Sequence, residues 1–302
     1  MRNSSRRHRT CPLCEAADAS PFLRKKDLTL VRCKNCAMIY ASPVPAEMAG
    51  EFYNNLGVPF YLSPEKLESD YASVRFEREL RLFQKFCPRG TVLDVGCSTG
   101  AFLFQLKTRG QYQVTGTDIS KPALDYARSR HLQIISNSFP DHNFGATRFD
   151  AITFWAVIEH LLDPKSFLSK AAALLKSGGH CFILVPNMKS VAVRLLGAKY
   201  RYIFPQHVNY FTKKTLEKFS LRENFEMVAR GSMHFNPIVI GQDFRSQGEF
   251  VPDEQRAALL QRTTAYKQNP ALKPVKFFYR ATENILGSLN LADNLFIVLR
   301  KP

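Results

Sequence analysis

The sequence predicts an α/β protein in which a doubly wound parallel sheet follows a small cysteine-containing module. Its 302 residues, 45% of them hydrophobic, suffice for one large domain and one small domain. Apolar segments of strand length alternate with helix-like segments from about residue 86 onward, and two Cys-x-x-Cys pairs lie near the N-terminus. These observations place the sheet in residues 86–302 and the cysteine module in residues 11–45.

Five apolar runs are predicted to form the parallel part of the sheet. They are TVLDVGC (91–97), YQVTGTDI (112–119), LQIIS (132–136), FDAITFWAV (149–157) and HCFILVP (180–186). Near-continuous apolar strands that alternate with helices are typical of a parallel sheet covered on both faces. Two later runs, FEMVARGS (225–232) and NLFIVLRK (294–301), add strands on either side of a helical insertion at about 233–290.

The N-terminal module is predicted to be a zinc ribbon. Cys11, Cys14, Cys33 and Cys36 follow the pattern C-x2-C-x18-C-x2-C. Two such pairs can complete a tetrahedron of thiolates around Zn²⁺, and four protein ligands indicate a structural metal. Two disulfides are the alternative, which the lack of a secretion signal disfavours. A tyrosine-rich helical lead-in or lid is expected at residues 46–85.

The charge balance favours an anionic partner. The chain carries 42 basic and 26 acidic residues, a net charge of +16. Residues 1–10 contain Arg2, Arg6, Arg7 and Arg9 and are predicted to be a solvated basic tail, with a nucleic-acid-binding arm as the alternative. No apolar run reaches the roughly 18 residues needed to span a bilayer, so the cytoplasm is the expected location.

The turn after the first strand, Gly96 to Gly100, allows three interpretations. It fits G-x-S-x-G, the nucleophile turn of serine hydrolases, with Ser98 as nucleophile and Asp163 with His207 or His234 as partners. However, no HGGG-like oxyanion segment precedes it. A dinucleotide site is the second interpretation, because an acidic residue, Asp118, closes the next strand. The glycine spacing is not G-x-G-x-x-G, and Asp94 would repel a pyrophosphate.

S-adenosylmethionine is the third interpretation, and the same residues suit it. Asp94 can hold the α-ammonium group of the ligand, and backbone N–H groups beside Gly96 and Gly100 can approach its carboxylate. Asp118 can accept hydrogen bonds from two ribose hydroxyls. The sequence therefore favours a site for this sulfonium compound.

Four motifs together resemble the class I S-adenosylmethionine-dependent methyltransferases over residues 86–302: VLDVGCSTG, TGTDIS, FDAITFWAVIEHLLDP and GGHCFILVPN. The resemblance implies a Rossmann-like seven-stranded sheet of order 3-2-1-4-5-7-6 with its last strand reversed. It also implies a set of cofactor-binding residues. These are Asp94, Gly96, Cys97 and Gly100 for the methionine portion, Asp118 and Ile119 for ribose and adenine, Ser138 and Phe139 for the far side of the adenine, and Trp155 for the pocket floor.

Two further segments, VRCKNCAMIYASPVP and PQHVNYFTKKTLEKF, resemble zinc-ribbon methyltransferases that include sugar C-methyltransferases. In those enzymes a Tyr/Glu/His cluster is associated with deprotonating the carbon beside a keto group. His207 matches the histidine, whereas Gln206 and Phe204 stand where the acid and the tyrosine are expected. The resemblance implies a nucleotide-linked sugar or a related polar acceptor and leaves C- and O-methylation open.

Several other side chains are candidates for the site. His160 follows the fourth strand and either faces the acceptor or, with Glu159, orients the adjoining helix. Tyr61 is predicted to reach the carboxylate of the cofactor, and Lys199 and Arg201 either meet a diphosphate or are surface charges.

The sequence therefore predicts methyl transfer from S-adenosylmethionine to a small, anionic, polar acceptor, with His207 and His160 as catalytic residues and a structural zinc. A serine hydrolase and an RNA-binding or RNA-modifying protein are the alternatives. The oligomeric state is left open.

Overall fold

The computed structural model describes residues 6–45, 52–246 and 248–302. Arg2 of the predicted basic tail and residues 46–51 of the predicted lid lie outside the described residues. The described strands form a seven-stranded sheet, a four-stranded sheet and a two-stranded sheet. None of the described helices is both long and apolar enough to cross a bilayer.

The N-terminal module contains five short strands. These are β1 (Arg6–Arg7), β2 (Ala19–Lys25), β3 (Leu28–Cys33), β4 (Ile39–Ala41) and β5 (Val44–Pro45). Strands β2, β3 and β4 form an antiparallel meander, and β1 pairs with β5. The four predicted ligands, Cys11, Cys14, Cys33 and Cys36, are free thiols whose sulfur atoms lie within 4.8 Å of one another. The cysteine cluster is thus confirmed, and its zinc stays a prediction.

Residues 6–10 make contacts with the rest of the protein. Arg6 and Arg7 pair with β5, and the guanidinium of Arg9 donates hydrogen bonds to the backbone oxygens of Leu162 (3.0 Å) and Val208 (3.3 Å). Arg7, His8 and Thr10 are exposed, so a solvated basic surface on this segment stays a prediction.

Between the module and the large sheet lie a single π-helical turn (Phe52–Leu56) and three helices. The helices are α1 (Val58–Tyr61), α2 (Pro64–Tyr71) and α3 (Glu77–Phe86). Ser63 caps α2 by accepting a hydrogen bond from the backbone N–H of Lys66 at 3.3 Å. Phe83 of α3 packs against Phe182 in the sheet, with 4.9 Å between the ring centroids. The end of the predicted lid is therefore part of the core.

The large sheet has the predicted order. Its strands are β6 (Gly90–Val95), β7 (Tyr112–Thr117), β8 (Gln133–Ile135), β9 (Phe149–Trp155), β10 (Leu175–Pro186), β12 (Glu226–Met233) and β13 (Asn294–Arg300). The order across the sheet is β12-β13-β10-β9-β6-β7-β8, and β13 runs antiparallel to both neighbours. This confirms the seven-stranded Rossmann-like fold. In such sheets ligands bind at the carboxyl ends of the strands, at the point where the strand order reverses. Here that point lies between β6 and β9.

Eight further helices connect these strands. They are α4 (Ala101–Lys107), α5 (Lys121–Ser129), α6 (Pro164–Leu174), α7 (Val191–Leu196), α8 (Lys213–Ser220), α9 (Pro237–Arg245), α10 (Asp253–Gln268) and α11 (Lys273–Ser288). Helices α9, α10 and α11 lie between β12 and β13, where the sequence predicts a helical insertion.

The cysteine module and the large sheet share one core. Strand β11 (Asn209–Tyr210) follows α7 in the chain but pairs with β4, so it completes the four-stranded sheet of the module. Cys11 and Tyr40 lie in the same buried cluster as Leu93 and Ile183 of the large sheet. The module therefore holds the chain segment that contains His207.

Candidate functional site

The turn between β6 and α4 needs its glycines. Gly96 and Gly100 have φ values of +75° and +79°, in the left-handed region. A Cβ atom at Gly96 would lie 2.5 Å from Val157 Cγ2, and one at Gly100 would lie 2.3 Å from Leu132 Cδ1. The turn therefore places the start of α4 shortly after the carboxyl end of β6.

Two carboxylates lie at this edge, the buried one of Asp94 and the partly buried one of Asp118. Asp94 accepts a hydrogen bond from Thr153 Oγ1 at 2.6 Å, and Asp118 accepts one from the backbone N–H of Ser98 at 2.8 Å and one from that of Ser120 at 2.9 Å. Burial, with a smaller effect of Asp118, raises the pKa of Asp94 to about 7, and burial also raises the pKa of Asp118. Among the described residues, neither carboxylate forms a salt bridge. Both are therefore suited to a ligand that brings a cation or hydroxyl donors.

The other predicted cofactor-binding residues differ in how far their side chains are exposed to solvent. Cys97 is buried in the turn, whereas Ile119 is exposed directly after β7. Phe139 is buried, and its ring lies 5.5 Å from that of Phe167 between centroids. Trp155 ends β9, and its Nε1 has no hydrogen-bond partner in the described chain. Ser138 is partly buried before Phe139. A role for these residues in cofactor binding stays a prediction.

His160 and His207 form a close pair beyond β9. Their ring centroids lie 4.6 Å apart. His160 Nδ1 is 2.9 Å from the backbone oxygen of Gln206 and 3.0 Å from the Tyr53 hydroxyl, and His207 Nδ1 is 2.9 Å from the backbone oxygen of Tyr202. Because a carbonyl oxygen only accepts, these contacts place a proton on each Nδ1 and leave each Nε2 with a lone pair.

Burial keeps both histidines neutral. It lowers the pKa of His160 to about 4, and it lowers the pKa of His207 well below the usual range, with the neighbouring His160 adding to the effect. Arg256 further lowers the pKa of both rings. At neutral pH each Nε2 therefore carries a lone pair and no proton.

Glu159 completes the cluster, and sequence reasoning gave it only a role in orienting a helix. Its side chain is 0% exposed, and neither carboxylate oxygen has a hydrogen-bond partner in the described chain. One potential ligand atom from each of Glu159, His160 and His207 lies within 4.8 Å of the other two. Burial raises the pKa of Glu159 to about 8. The cluster can hold a proton or a cation. In the sequence, only the adjacent Glu-His pair after a strand indicated such a cluster.

The Phe52–Leu56 turn and α1 lie over the Asp118 end of the sheet. The backbone oxygen of Tyr53 accepts a hydrogen bond from Ser120 Oγ at 2.8 Å, and Asn54 Oδ1 accepts one from the backbone N–H of Lys121 at 2.9 Å. The rings of Tyr53 and Tyr61 lie 6.0 Å apart between centroids. A lid function for this part of the lead-in stays a prediction.

The predicted diphosphate-binding residues are otherwise engaged. Arg201 forms a buried ion pair with Asp243, with 2.7 Å between Nη2 and Oδ1, and Lys199 Nζ lies 3.4 Å from the backbone oxygen of Phe244. A different cation lies beside the histidine pair: the guanidinium of Arg256 is 5.4 Å from the centre of the Phe204 ring. The sequence did not indicate a role for Arg256, because α10 is distant from the histidines in sequence and lies beside them only in the folded protein.

The hydrolase interpretation was wrong. The Asp163 carboxylate caps α6 by accepting from the backbone N–H groups of Lys165 and Ser166. His207 is held by the backbone oxygen of Tyr202, as described above, and His234 Nε2 lies 2.9 Å from Glu79 Oε1. No described hydrogen bond joins Ser98 to a histidine.

Comparison with known proteins decides between the remaining classes. A family model described as a methyltransferase domain matches residues 69–230, which is more than half of the chain. The chain belongs to this methyltransferase family. It is an S-adenosylmethionine-dependent methyltransferase, as the four sequence motifs indicated.

Named relatives match about a third to a half of the chain. A ubiquinone biosynthesis O-methyltransferase of Vibrio parahaemolyticus is 32% identical over 161 residues, which are 49% of this chain and 68% of the relative. One from Alkalilimnicola ehrlichii is 38% identical over 120 residues, 36% of this chain and 47% of the relative.

Solved structures agree in fold. A methyltransferase of Archaeoglobus fulgidus has a TM-score of 0.52 at 17% identity, covering 82% of this chain and 98% of the other. Phosphoethanolamine N-methyltransferase 2 of Haemonchus contortus, solved with S-adenosylmethionine, has a TM-score of 0.54 at 15% identity, covering 87% of this chain and 63% of the other.

Proposed function

We propose that the protein transfers a methyl group from S-adenosylmethionine to a hydroxyl oxygen of a small polar acceptor. One observation carries this proposal: the carboxylates of Asp94 and Asp118 lie at the carboxyl edge of β6 and β7, and Tyr53 links this edge to the histidine pair by contacting both Ser120 and His160. The named relatives, which are O-methyltransferases, support oxygen as the acceptor atom. Gln206 and Phe204, in place of an acid and a tyrosine, agree with oxygen rather than carbon.

The cofactor fits the carboxylates and the glycine turn. In this proposal Asp94 pairs with the ammonium group, the N–H groups at the start of α4 meet the carboxylate, and Asp118 accepts from the ribose hydroxyls. Asp94 is buried and Asp118 is partly buried, and neither has a basic partner among the described residues. The ligand would supply a positive charge to Asp94 and hydroxyl donors to Asp118. The proposed pocket also includes a set of flanking residues. These are Cys97, Ile119, Ser138, Phe139, Trp155 and Tyr61.

The histidine pair supplies the proton acceptor. When bound, S-adenosylmethionine supplies a methyl group already activated on a sulfonium. As the bond between the acceptor oxygen and the methyl carbon forms and the carbon–sulfur bond breaks, the hydroxyl proton passes to Nε2 of His207. His160 lies beside His207, with 4.6 Å between the ring centroids.

The acceptor is proposed to carry an anionic group. Arg256, close to the histidine pair, is the proposed partner of this group. Its ion pair with Asp253 (2.9 Å) is partly exposed, whereas Arg201 is buried against Asp243. A nucleotide-linked sugar remains a narrower prediction within this class.

We further propose that the four-cysteine cluster binds a structural Zn²⁺. The sulfur atoms of Cys11 and Cys36 lie 3.4 Å apart, and those of Cys14 and Cys33 lie 3.5 Å apart, which suits four thiolates around one metal. The cytoplasmic location stays a prediction from the sequence.

Calorimetry with S-adenosylhomocysteine, the demethylated product, tests the cofactor site. Asp118→Ala should raise the dissociation constant at least tenfold, about 1.4 kcal/mol, because both ribose contacts are lost. Lys121→Ala, an exposed neighbour, is the matched control and should bind like the wild type.

A panel of hydroxylated acceptors, with product formation as the readout, tests the chemistry. His207→Ala should slow turnover at least about a hundredfold and change S-adenosylhomocysteine affinity by less than about twofold. Equal loss in both assays would show that His207 is not the proton acceptor.

A further inference from the structure

Tyr53 contacts both halves of the proposed site. Its backbone oxygen accepts a hydrogen bond from Ser120 Oγ at 2.8 Å, and its hydroxyl lies 3.0 Å from His160 Nδ1. These partners are 67 and 107 positions away in sequence. One residue of the Phe52–Leu56 turn therefore joins the edge that carries Asp118 to the histidine pair beyond β9.

Ser120 connects Tyr53 to the Asp118 carboxylate. The backbone N–H of Ser120 donates to Asp118 Oδ1 at 2.9 Å, while its side-chain hydroxyl donates to Tyr53. Ser120 is 4% exposed, so the loss of either bond would leave a buried polar group unpaired. The next residue holds the same turn, because the backbone N–H of Lys121 donates to Asn54 Oδ1. A ligand that bonds to Asp118 therefore acts on the segment to which Tyr53 is attached.

At its other end, Tyr53 helps to set the orientation of the His160 ring. The Nδ1–H group of His160 has two acceptors, the backbone oxygen of Gln206 at 2.9 Å and the hydroxyl oxygen of Tyr53 at 3.0 Å. Burial raises the pKa of Tyr53, so its hydroxyl stays protonated at neutral pH. The two acceptors belong to different segments and together fix the ring plane and the tautomer. Since the Nε2 lone pair lies in that plane, its direction depends on both contacts.

A second path from the cofactor edge to His160 runs inside the sheet. Asp94 accepts from Thr153 Oγ1, and Thr153 lies on β9, the strand that precedes His160. However, β9 is paired with a strand on each side, and Thr153 is fully buried. Such a strand changes its position less readily than a single turn outside the sheet. The turn that contains Tyr53 is therefore the better candidate for a movable link.

We propose that Tyr53 is a positioning residue that couples cofactor binding at Asp118 to the orientation of His160. The inference rests on the proposed function, because it takes Asp118 as the ribose-binding carboxylate. Ribose hydroxyls that bind Asp118 change the hydrogen bonds of Ser120 and so favour one position of Tyr53. One orientation of the His160 ring follows from that position. The histidine pair is then in place only after the cofactor has bound, so the cofactor is expected to bind before the acceptor.

NMR of the histidine rings in the isotope-labelled full chain tests this coupling without an acceptor. The ring signals of His160 are those missing in His160→Gln, and spectra are recorded with and without saturating S-adenosylhomocysteine. In the wild type this ligand should shift the His160 signals. In Tyr53→Phe, which keeps the backbone oxygen and loses only the hydroxyl, the shift should be at least about threefold smaller. The calorimetric affinity for S-adenosylhomocysteine should change by less than about threefold, because no proposed cofactor contact is removed.

Two further variants separate the link from general effects. Ser120→Ala breaks the other end of the link and keeps the N–H group that donates to Asp118, so it should reduce the His160 shift to a similar degree. Tyr112→Phe is the matched control. The Tyr112 hydroxyl donates to the backbone oxygen of Cys87 at 2.9 Å, at the opposite end of β7, and this variant should respond like the wild type. Thermal unfolding establishes that each variant is folded.

Three results would overturn the inference. S-adenosylhomocysteine could bind the wild type without shifting the His160 signals, Tyr53→Phe could respond as the wild type does, or Tyr112→Phe could lose the response to the same degree. A full response in Tyr53→Phe would assign the coupling to Thr153 and β9. Failure of the proposed function has a different signature. A wild type that does not bind S-adenosylhomocysteine, or an Asp118→Ala variant that binds it as tightly, would remove the cofactor site and this inference with it.

Discussion

Asp94 makes a hydrogen bond with Thr153 but, within the described residues, meets no basic side chain. Its raised pKa, about 7, means that much of it is protonated at neutral pH in the free protein. An ammonium group in the site would favour the ionised form. The cofactor itself is therefore expected to complete the charge balance of the site.

This linkage predicts a pH-dependent affinity. Binding of S-adenosylhomocysteine to the wild type should strengthen as pH rises toward and through about 7, because below that pH Asp94 must lose a proton on binding. Asp94→Asn should bind at least about tenfold more weakly at pH 8 and should lose this pH dependence. Calorimetry across the pH range measures both, and an unchanged slope in Asp94→Asn would contradict the assignment.

Glu159 gives a second prediction, which concerns stability. Its folded-state pKa, about 8, lies above the usual value of a glutamic acid, so the folded protein keeps a proton that the unfolded chain releases. The contribution of this group to stability therefore falls as pH rises from about 4 to about 8 and is constant above that.

Glu159→Gln keeps the shape of the side chain without this titration. The melting temperature of the free wild-type protein, measured across that pH range, should decline more than that of Glu159→Gln. Parallel curves for the two proteins would mean that Glu159 has a partner in solution.

At the scale of elements, the turn between β6 and α4 requires glycine for two reasons, the positive φ of the backbone and the close packing of neighbouring side chains. Gly100→Ala should destabilise the protein by about 3 kcal/mol, because its Cβ would overlap Leu132 and the backbone conformation would be strained. Gly110→Ala is the matched control: its φ is +73°, but nothing lies within 4 Å of the added Cβ. It should cost about 1 kcal/mol.

Urea unfolding of the two variants measures this difference. Equal losses would show that strain alone, without the contact to Leu132, determines the cost at Gly100.

The elements show what the sequence could predict. The strands of the large sheet could be predicted because strands covered on both faces are apolar along their whole length. The resemblance carried by the motifs at their ends implied the strand order. The pairing of β11 with β4 was not readable, because it joins Tyr210 to Ile39 across 171 positions. For the same reason the sequence did not show that Arg9 anchors to Leu162 or that α10 brings Arg256 beside Phe204. The sequence also could not show that the carboxyl group of Glu159 has no hydrogen-bond partner in the described chain, because this depends on every residue around it in the folded core.

At the scale of the whole molecule, the cysteine module and the catalytic segment form one unit through β4 and β11. Removal of the proposed zinc should lower the melting temperature and slow turnover. S-adenosylhomocysteine affinity should fall less, because Asp94 in β6 and Asp118 directly after β7 are held by strands that pair within the large sheet and not with the strands of the module.

Metal analysis together with these three assays, on wild type and Cys33→Ser, checks this prediction. Cys87→Ser is the control, since Cys87 is buried outside the cluster and its thiol contacts the backbone oxygen of Arg89. A protein that contains no zinc, or a Cys33→Ser variant as stable and active as the control, would remove the structural role of the cluster.

A crystal structure with S-adenosylhomocysteine tests the central claim most directly. The account predicts the ribose hydroxyls within hydrogen-bond distance of the Asp118 carboxylate, the ammonium group beside Asp94, and the sulfur atom facing the His160–His207 pair. A ligand bound elsewhere on the sheet, or one whose sulfur points away from the two histidines, would contradict it.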